Sequence, residues 1–360
     1  MHLRHLHSVK LLQRLLSALV VIVATAGYDS AHAEEVLPGS QPAAVAQAIR
    51  FFFESRLEEL KPAYRGHWVL RLYRVTGDER YLHEIQAYGA RLQIVFKTYA
   101  AGIEDPVFRR QAASDGLGPV PKPDHEKHLR RREVLAGVPE YLVMHRLLYL
   151  AFQLKSLGLD KTEGPVFEKT RETLRLFPFR KYLLDPQLIR YHASEISNDV
   201  YYLEGLGLDG AAEDFRAAFE AAHQNTDSSG DAVLFENKIY GLTHLIIAAS
   251  GYYQHTVPAE KFRWILDYFE KNLDMILART KSDVIGEVGL CFRLAGLPDH
   301  PVVGRTRGFI VRAWDPAFGM LPSQKGRADL NKGEHRNVIA YLLITGFERL
   351  YPGPDLSNKR

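Results

Sequence analysis

Cys291 is the only cysteine in this chain of 360 residues, so no intramolecular disulfide can form. Its apolar neighbours, Val288, Leu290 and Phe292, make it a small buried hydrophobe in expectation and not a nucleophile. Other signatures are missing too. No HExxH, CxxC, EF-hand loop, glycine-rich phosphate loop or Asp-rich terpenoid-type metal motif occurs. His192, Glu195 and Asp199 have a suggestive spacing but lack further ligands, so neither a metal nor an organic cofactor is expected. Strand-like alternation is nowhere sustained: the nearest stretch, 302–311, is interrupted by Gly304 and Gly308. Charge of one sign is not in excess either, with 46 Lys and Arg against 43 Asp and Glu. A nucleic-acid partner would need a basic face, and none is expected.

The N-terminus carries a leader-like pattern. Arg4, Lys10 and Arg14 precede an apolar run at 15–27, and Ala31-His32-Ala33 supplies a small-x-small cleavage site. The run falls short of the roughly 20 apolar residues that span a bilayer. Residues 1–33 are therefore expected to be a signal peptide that sends the chain to the periplasm, with no membrane span after cleavage. Residues 34–41 read as a tail, and 42–360 as one domain.

What the chain does have is helical periodicity. Six segments open on polar or aromatic clusters and then turn almost wholly apolar. Their heads are Tyr64-Arg65-Gly66-His67-Trp68, Pro139-Glu140-Tyr141, Glu195-Ile196-Ser197-Asn198-Asp199, Glu236-Asn237-Lys238, Lys281-Ser282-Asp283 with Glu287, and Glu334-His335-Arg336-Asn337. The apolar stretches cover 64–76, 139–157, 194–206, 236–253, 281–294 and 335–350. More amphipathic stretches cover 81–101, 163–176, 211–223, 259–279 and 303–313, and 43–60 precedes them all. Helices apolar all round are buried, whereas one-faced helices lie outside them. The expected fold is all-α, with six inner and six outer helices. The last inner helix has no partner after it, so the first helix closes the ring against it. Residues 102–135 are the exception, a long irregular connection with Gly116, Gly118, Pro121 and Pro123.

The segments ENKIYGLTHLIIAASGYY (236–253) and SDVIGEVGLCFRLAG (282–296), in this alternating pattern, resemble the (α/α)6 toroids of the six-hairpin superfamily, in a secreted bacterial branch. That resemblance implies a central cleft at the N-terminal ends of the inner helices. Members include glycoside hydrolases, polysaccharide lyases, terpenoid cyclases and lanthionine cyclases, so it implies no single chemistry.

Capping accounts for Ser and Asp in the heads, but not for the His, Tyr, Asn and Arg beside them. Tyr240 and His244, one turn apart, suit acid and base roles in β-elimination, with Asn237 or Arg336 neutralising a uronate carboxylate. Glu236 shares their face. Asp283 and Glu287 are the carboxylates that hydrolysis would need, although two acids on one helix are too close to flank a sugar. The catalytic candidates are therefore Tyr240, His244, His335, Glu236, Asp283 and Glu287. Trp68, His67, Asn198, Asn237, Arg336, Asn337 and Trp314 are the candidates for binding, with the two Trp stacking on sugar rings. The expected ligand is an oligo- or polysaccharide, acted on by a lyase or a hydrolase. The competing expectation is a non-catalytic binding or envelope-associated protein using the same cleft.

Overall fold

Backbone capping decides where the helices begin. In the computed structural model, residues 40–122 and 125–357 are described, and they form seventeen α-helices with no strand among them. The expected leader, 1–33, and residues 34–39 of the expected tail lie outside the described residues. No described helix is long and apolar enough to cross a membrane. In chain order the helices are α1 (Ser40–Glu54), α2 (Pro62–Thr76), α3 (Leu82–Gly102), α4 (Pro106–Leu117), α5 (Glu126–Ala136), α6 (Pro139–Ser156), α7 (Asp160–Leu176), α8 (Phe179–Leu183), α9 (Pro186–Tyr191), α10 (Ala193–Gly205), α11 (Ala212–Ala222), α12 (Ala232–Ala249), α13 (Arg263–Lys271), α14 (Leu273–Arg279), α15 (Ser282–Leu294), α16 (Pro301–Ala313) and α17 (Leu330–Thr345).

Several boundaries differ from the sequence expectation, each for a local reason. The Asp231 carboxylate accepts from Val233 N and Leu234 N, starting α12 a turn before Glu236. Asp329 does the same for Lys332 N, starting α17 before His335. The polar clusters at 236 and 335 thus sit inside their helices and not at the caps. The α12 helix also stops early, at Ala249, because Gly251, Tyr252 and Tyr253 all take left-handed backbone angles. The outer segment 259–279 breaks in two at Asn272, whose amide donates to Tyr268 O. The 102–135 connection is not a loop. Asp105 caps α4, Pro106 occupies its first turn, and α5 follows.

Packing runs from helix to helix: α6 on α10, α10 on α12, α12 on α15, α15 on α17 and α17 on α2. Between α2 and α6 the neighbour is α3, which packs on both, and α1 packs on α17. The closest approaches surround α15. A Cβ on Gly286 would lie 2.6 Å from Ile339, and one on Gly289 only 2.3 Å from Thr306 Oγ1 and 2.7 Å from Leu343. Those neighbours belong to α16 and α17, so glycine lets three helix backbones converge there. At the other end Arg74, almost fully buried, donates to the carbonyls of Gly251, Tyr252 and Gly353 at 3.0–3.3 Å. It pins the left-handed turn and the C-terminal segment to α2.

Alanine at position 289 improves helix propensity by about 1 kcal/mol but overfills the joint, and overpacking costs about 1–3 kcal/mol. Gly289→Ala is expected to lower the urea midpoint. Gly304→Ala, where a Cβ meets nothing within 4 Å, should leave it unchanged or raise it. Equal responses of the two variants would refute tight packing at α15.

Candidate functional site

Six helices each present at least one polar side chain to one cavity of about 340 Å³. From α2 come His67 and Arg71, from α6 His145, Arg146, Tyr149 and Gln153, and from α10 Glu195, Asn198 and Tyr202. His244 comes from α12, Glu287 from α15 and His335 from α17, while Tyr88 of α3 and the turn residues Tyr252 and Tyr253 complete the wall. Two further recesses share its walls. One of about 730 Å³ beneath α4 and α5 shares His145, Arg146 and Glu195. The other, of about 520 Å³ between α2 and α3, shares His67, Tyr88, Arg146, Tyr149 and His335.

Two histidines rest on buried carboxylates. His145 Nδ1 lies 2.9 Å from Asp199 Oδ1, and Tyr141 donates its hydroxyl to Asp199 Oδ2 at 2.8 Å. His145 itself is part of the cavity wall. Burial works to lower the His145 pKa, but the charge and hydrogen bond of Asp199 outweigh it and the pKa rises. His335 Nε2 donates to Glu287 Oε1 at 3.2 Å, while Thr243 donates to Glu287 Oε2 at 2.7 Å. Against burial, Glu287, Asp283 and Glu334 raise the His335 pKa.

Two other histidines are pushed the opposite way. Burial lowers the His244 pKa, despite Glu287 and Glu195. Its Nδ1 lies 3.0 Å from Asn198 Oδ1, an acceptor, so Nδ1 carries the proton and Nε2 is the free base, 3.7 Å from Glu287 Oε1. A proton arriving at Nε2 would meet a carboxylate. Burial and the nearby Arg71 bring His67 down to about 4, although its Nδ1 is 2.8 Å from Glu334. Groups of one type with opposed pKa shifts around one space are how enzymes separate acid from base.

The neighbouring recess of about 730 Å³ is roofed by α5. Arg131 donates to Glu195 at 2.6 Å, Lys127 to Glu236 at 2.7 Å and Arg130 to Asp231 at 2.5 Å. Burial opposes ionisation of Glu195, but Arg131 and His192 hold its pKa well below the usual carboxylate range.

Of the sequence candidates, His67, His244, His335, Glu287 and Asn198 line the cavity. The rest do not. Tyr240 donates to Asp283 Oδ2 at 2.5 Å, and burial and that carboxylate push its pKa well above 10. A phenol so held keeps its proton, and it stands off the cavity wall. Asp283 accepts that bond on Oδ2, with Oδ1 buried and unpartnered, and Glu236 is bridged by Lys127 and Lys281. Asn237 bonds Arg190 O, and Asn337 and Arg336 bond the backbone around Leu321. Trp68 is fully buried and stacks on Phe53 at 4.6 Å, so it packs the core instead of a sugar. Trp314 is also off the wall. Arg71, His145, Arg146, Tyr88 and Tyr149 were not anticipated from sequence. Helical spacing was the available signal: Arg71 lies one turn after His67, and His145 falls between Tyr141 and Tyr149.

Among the described residues, no group of three or more His, Cys, Asp or Glu is arranged to hold a metal ion. Residues 42–360 match the model of a family described as "Domain of unknown function (DUF3541)", and the chain belongs to that family. No curated protein and no solved structure matches it.

The opposed histidines set opposite pH dependences. The folded pKa of His67, about 4, lies below the unfolded value near 6.5, so only the unfolded chain takes up that proton between the two. Stability from His67 is complete above about 6.5 and falls as pH drops toward 4. His335, with its raised pKa, contributes stability that is complete below about 6.5 and is lost as pH rises through its folded value. Between about pH 6.5 and 4, where the His335 contribution is already complete, thermal midpoints should therefore fall on acidification, and less steeply in His67→Gln. In Glu287→Gln the His335 ring should titrate at lower pH by NMR. An unmoved His335 titration would rule out Glu287 as its anchor.

Proposed function

We propose that this DUF3541 protein is an exported, carbohydrate-active acid–base enzyme whose reaction takes place in the six-helix cavity. The observation that carries the reading is geometric. His145 and His335, each seated on a buried carboxylate, and His244, seated on Asn198, converge on one space. Their opposed pKa shifts support a division of labour, with His244 Nε2 as base and an imidazolium at His335 or His145 as acid. The cavity lies within the usual range for ligand sites, about 300–1,000 Å³, and its two side recesses offer room for neighbouring sugar units.

Elimination fits better than hydrolysis. A hydrolase needs one protonated carboxylic acid and one free carboxylate facing each other across the bond. The carboxylates on the wall, Glu195 and Glu287, are both committed to cationic or hydroxyl partners. In the elimination, His244 Nε2 removes the proton next to the sugar's acidifying group, and the C–H electron pair becomes a carbon–carbon double bond. The C–O bond to the leaving sugar breaks, and the imidazolium delivers its proton to the departing oxygen. Glu287 then neutralises the newly charged His244.

The same reading takes α2, α6, α10, α12, α15 and α17 as the inner helices of an (α/α)6 toroid. The outer set is α1, α3, α7, α11, α13 with α14, and α16. In support, all six inner candidates reach the cavity and α1 packs on α17. Export rests on the leader pattern at 1–33.

Polyuronates and neutral glycans should be offered to the protein, following ultraviolet absorbance of unsaturated products and release of reducing ends. We expect unsaturated products, with His244→Ala and His335→Ala each lowering kcat by about 10²–10⁴. Saturable glycan binding with no turnover of any substrate would instead make this a binding protein.

A further inference from the structure

We propose that Arg71 anchors a carboxylate-binding subsite, so that the sugar held in this cavity carries a carboxylate. For the reaction this rests on the acid–base reading above; for binding it stands alone.

Arg71 lies on the cavity wall and is only 8% exposed, yet no carboxylate or hydrogen-bond acceptor engages its guanidinium among the described residues, and its Nε is buried without a partner. A buried charge with no counter-charge is strongly unfavourable, by several kcal/mol in general. The cations at the rim are paired, Arg131 with Glu195 and Lys127 and Lys281 with Glu236, whereas Arg146, on the same wall, lies over the Tyr149 ring at 5.2 Å and also has no acid partner among the described residues. The acids on the wall, Glu195 and Glu287, are engaged elsewhere. The missing partner for Arg71 is therefore an anion that arrives from outside.

The surroundings of the guanidinium are built for that purpose. Its carbon lies 5.1 Å from the Tyr252 ring centroid and 5.7 Å from that of Tyr253. Both tyrosines hold left-handed backbone angles, φ 58° and 70°, a conformation that is strained for bulky residues. Arg74 stabilises that turn through the carbonyls of Gly251 and Tyr252. The aromatic faces support the guanidinium through cation–π attraction without consuming any of its N–H groups. The Tyr253 hydroxyl, fully buried, also lacks a partner.

The shape of the fork selects the anion. Two guanidiniums without acid partners, Arg71 and Arg146, stand on the wall beside two carboxylates, and the planar fork of Arg71 matches a carboxylate in two parallel hydrogen bonds. A dianionic phosphate would bring a second charge toward Glu195 and Glu287. Within the elimination, the fork withdraws charge from the carboxylate and so acidifies the adjacent C–H bond, as the base at His244 requires.

Calorimetric titration of the intact protein tests this without turnover. The probes are D-glucuronate, D-galacturonate and a galacturonate trimer, set against D-glucose, D-galactose and a neutral galactose trimer, with inorganic phosphate as a further probe. Uronates should bind at least about tenfold more tightly than their neutral counterparts. Arg71→Gln should weaken uronate binding by about ten- to a hundredfold and leave neutral sugars unchanged. Arg71→Lys, which keeps the charge without the fork, should fall between. Should Arg71→Gln fail to fold by circular dichroism, the wild-type series and Arg71→Lys decide. Equal binding of charged and neutral sugars, no uronate binding, tighter binding of phosphate, or a preference that survives in Arg71→Gln would each overturn the subsite. Uronate binding without turnover would keep the subsite and defeat the enzyme reading; turnover of neutral glycans alone would do the reverse.

Discussion

Glu287 is a carboxylate with only 1% of its side chain exposed, set among apolar residues and glycines from Val284 to Phe292. Moving such a group out of water is expensive unless its oxygens are bonded and its charge is met. The chain meets that demand with groups from two other helices: Thr243 from α12 and His335 from α17. One buried acid therefore dictates how three helices face one another. The glycines at 286 and 289 allow the approach, and the helices come close enough for the bonds to form. The cavity wall is the other side of that joint.

Around the same space, burial and charge compete differently at each imidazole. His335 and His145 have a carboxylate in direct contact, and although desolvation is the largest single influence, the surrounding acids and their hydrogen bonds together raise both pKa values. His67 is also bonded to a carboxylate, yet Arg71 adds to burial and its pKa falls. His244 has an amide oxygen as its nearest partner and a carboxylate farther off, so burial prevails there too. The split follows from which charged groups stand beside each imidazole, which only the packed helices determine. Tyrosines complete the wall: Tyr202 and Tyr252 join hydroxyls at 2.7 Å.

The segment between α3 and α6 shows how a connection becomes part of a site. Its helix α5 carries Lys127, Arg130 and Arg131 at helical spacing, and their partners, Glu236, Asp231 and Glu195, belong to α12, the cap before it, and α10. Ion pairs of this partly buried kind fix orientation more than they add stability. They also remove Glu195 and Glu236 from the pool of free acids, which bears directly on the choice between hydrolysis and elimination.

Much of the helix content was legible in the sequence, because apolar periodicity reports which faces must be buried. Asp105-Pro106 and Asp231 announced helix starts whose meaning was masked by the breakers and turn residues around them. Five of the candidate residues reach the cavity, among them His244 and Glu287, since polar groups in apolar helices have few places to go. Tyr240 and Asp283 show the limit: the same chemistry, one turn away, is spent on a mutual hydrogen bond. Arg71 shows it more sharply, since nothing in its local sequence says that it lacks an acid. Periodicity, caps and the inventory of ionisable groups belonged to the sequence by itself. Which of those groups are paired, and which are left facing a cavity, only the tertiary structure decided, because a charge is satisfied across helices far apart in the chain, over distances of a few ångströms.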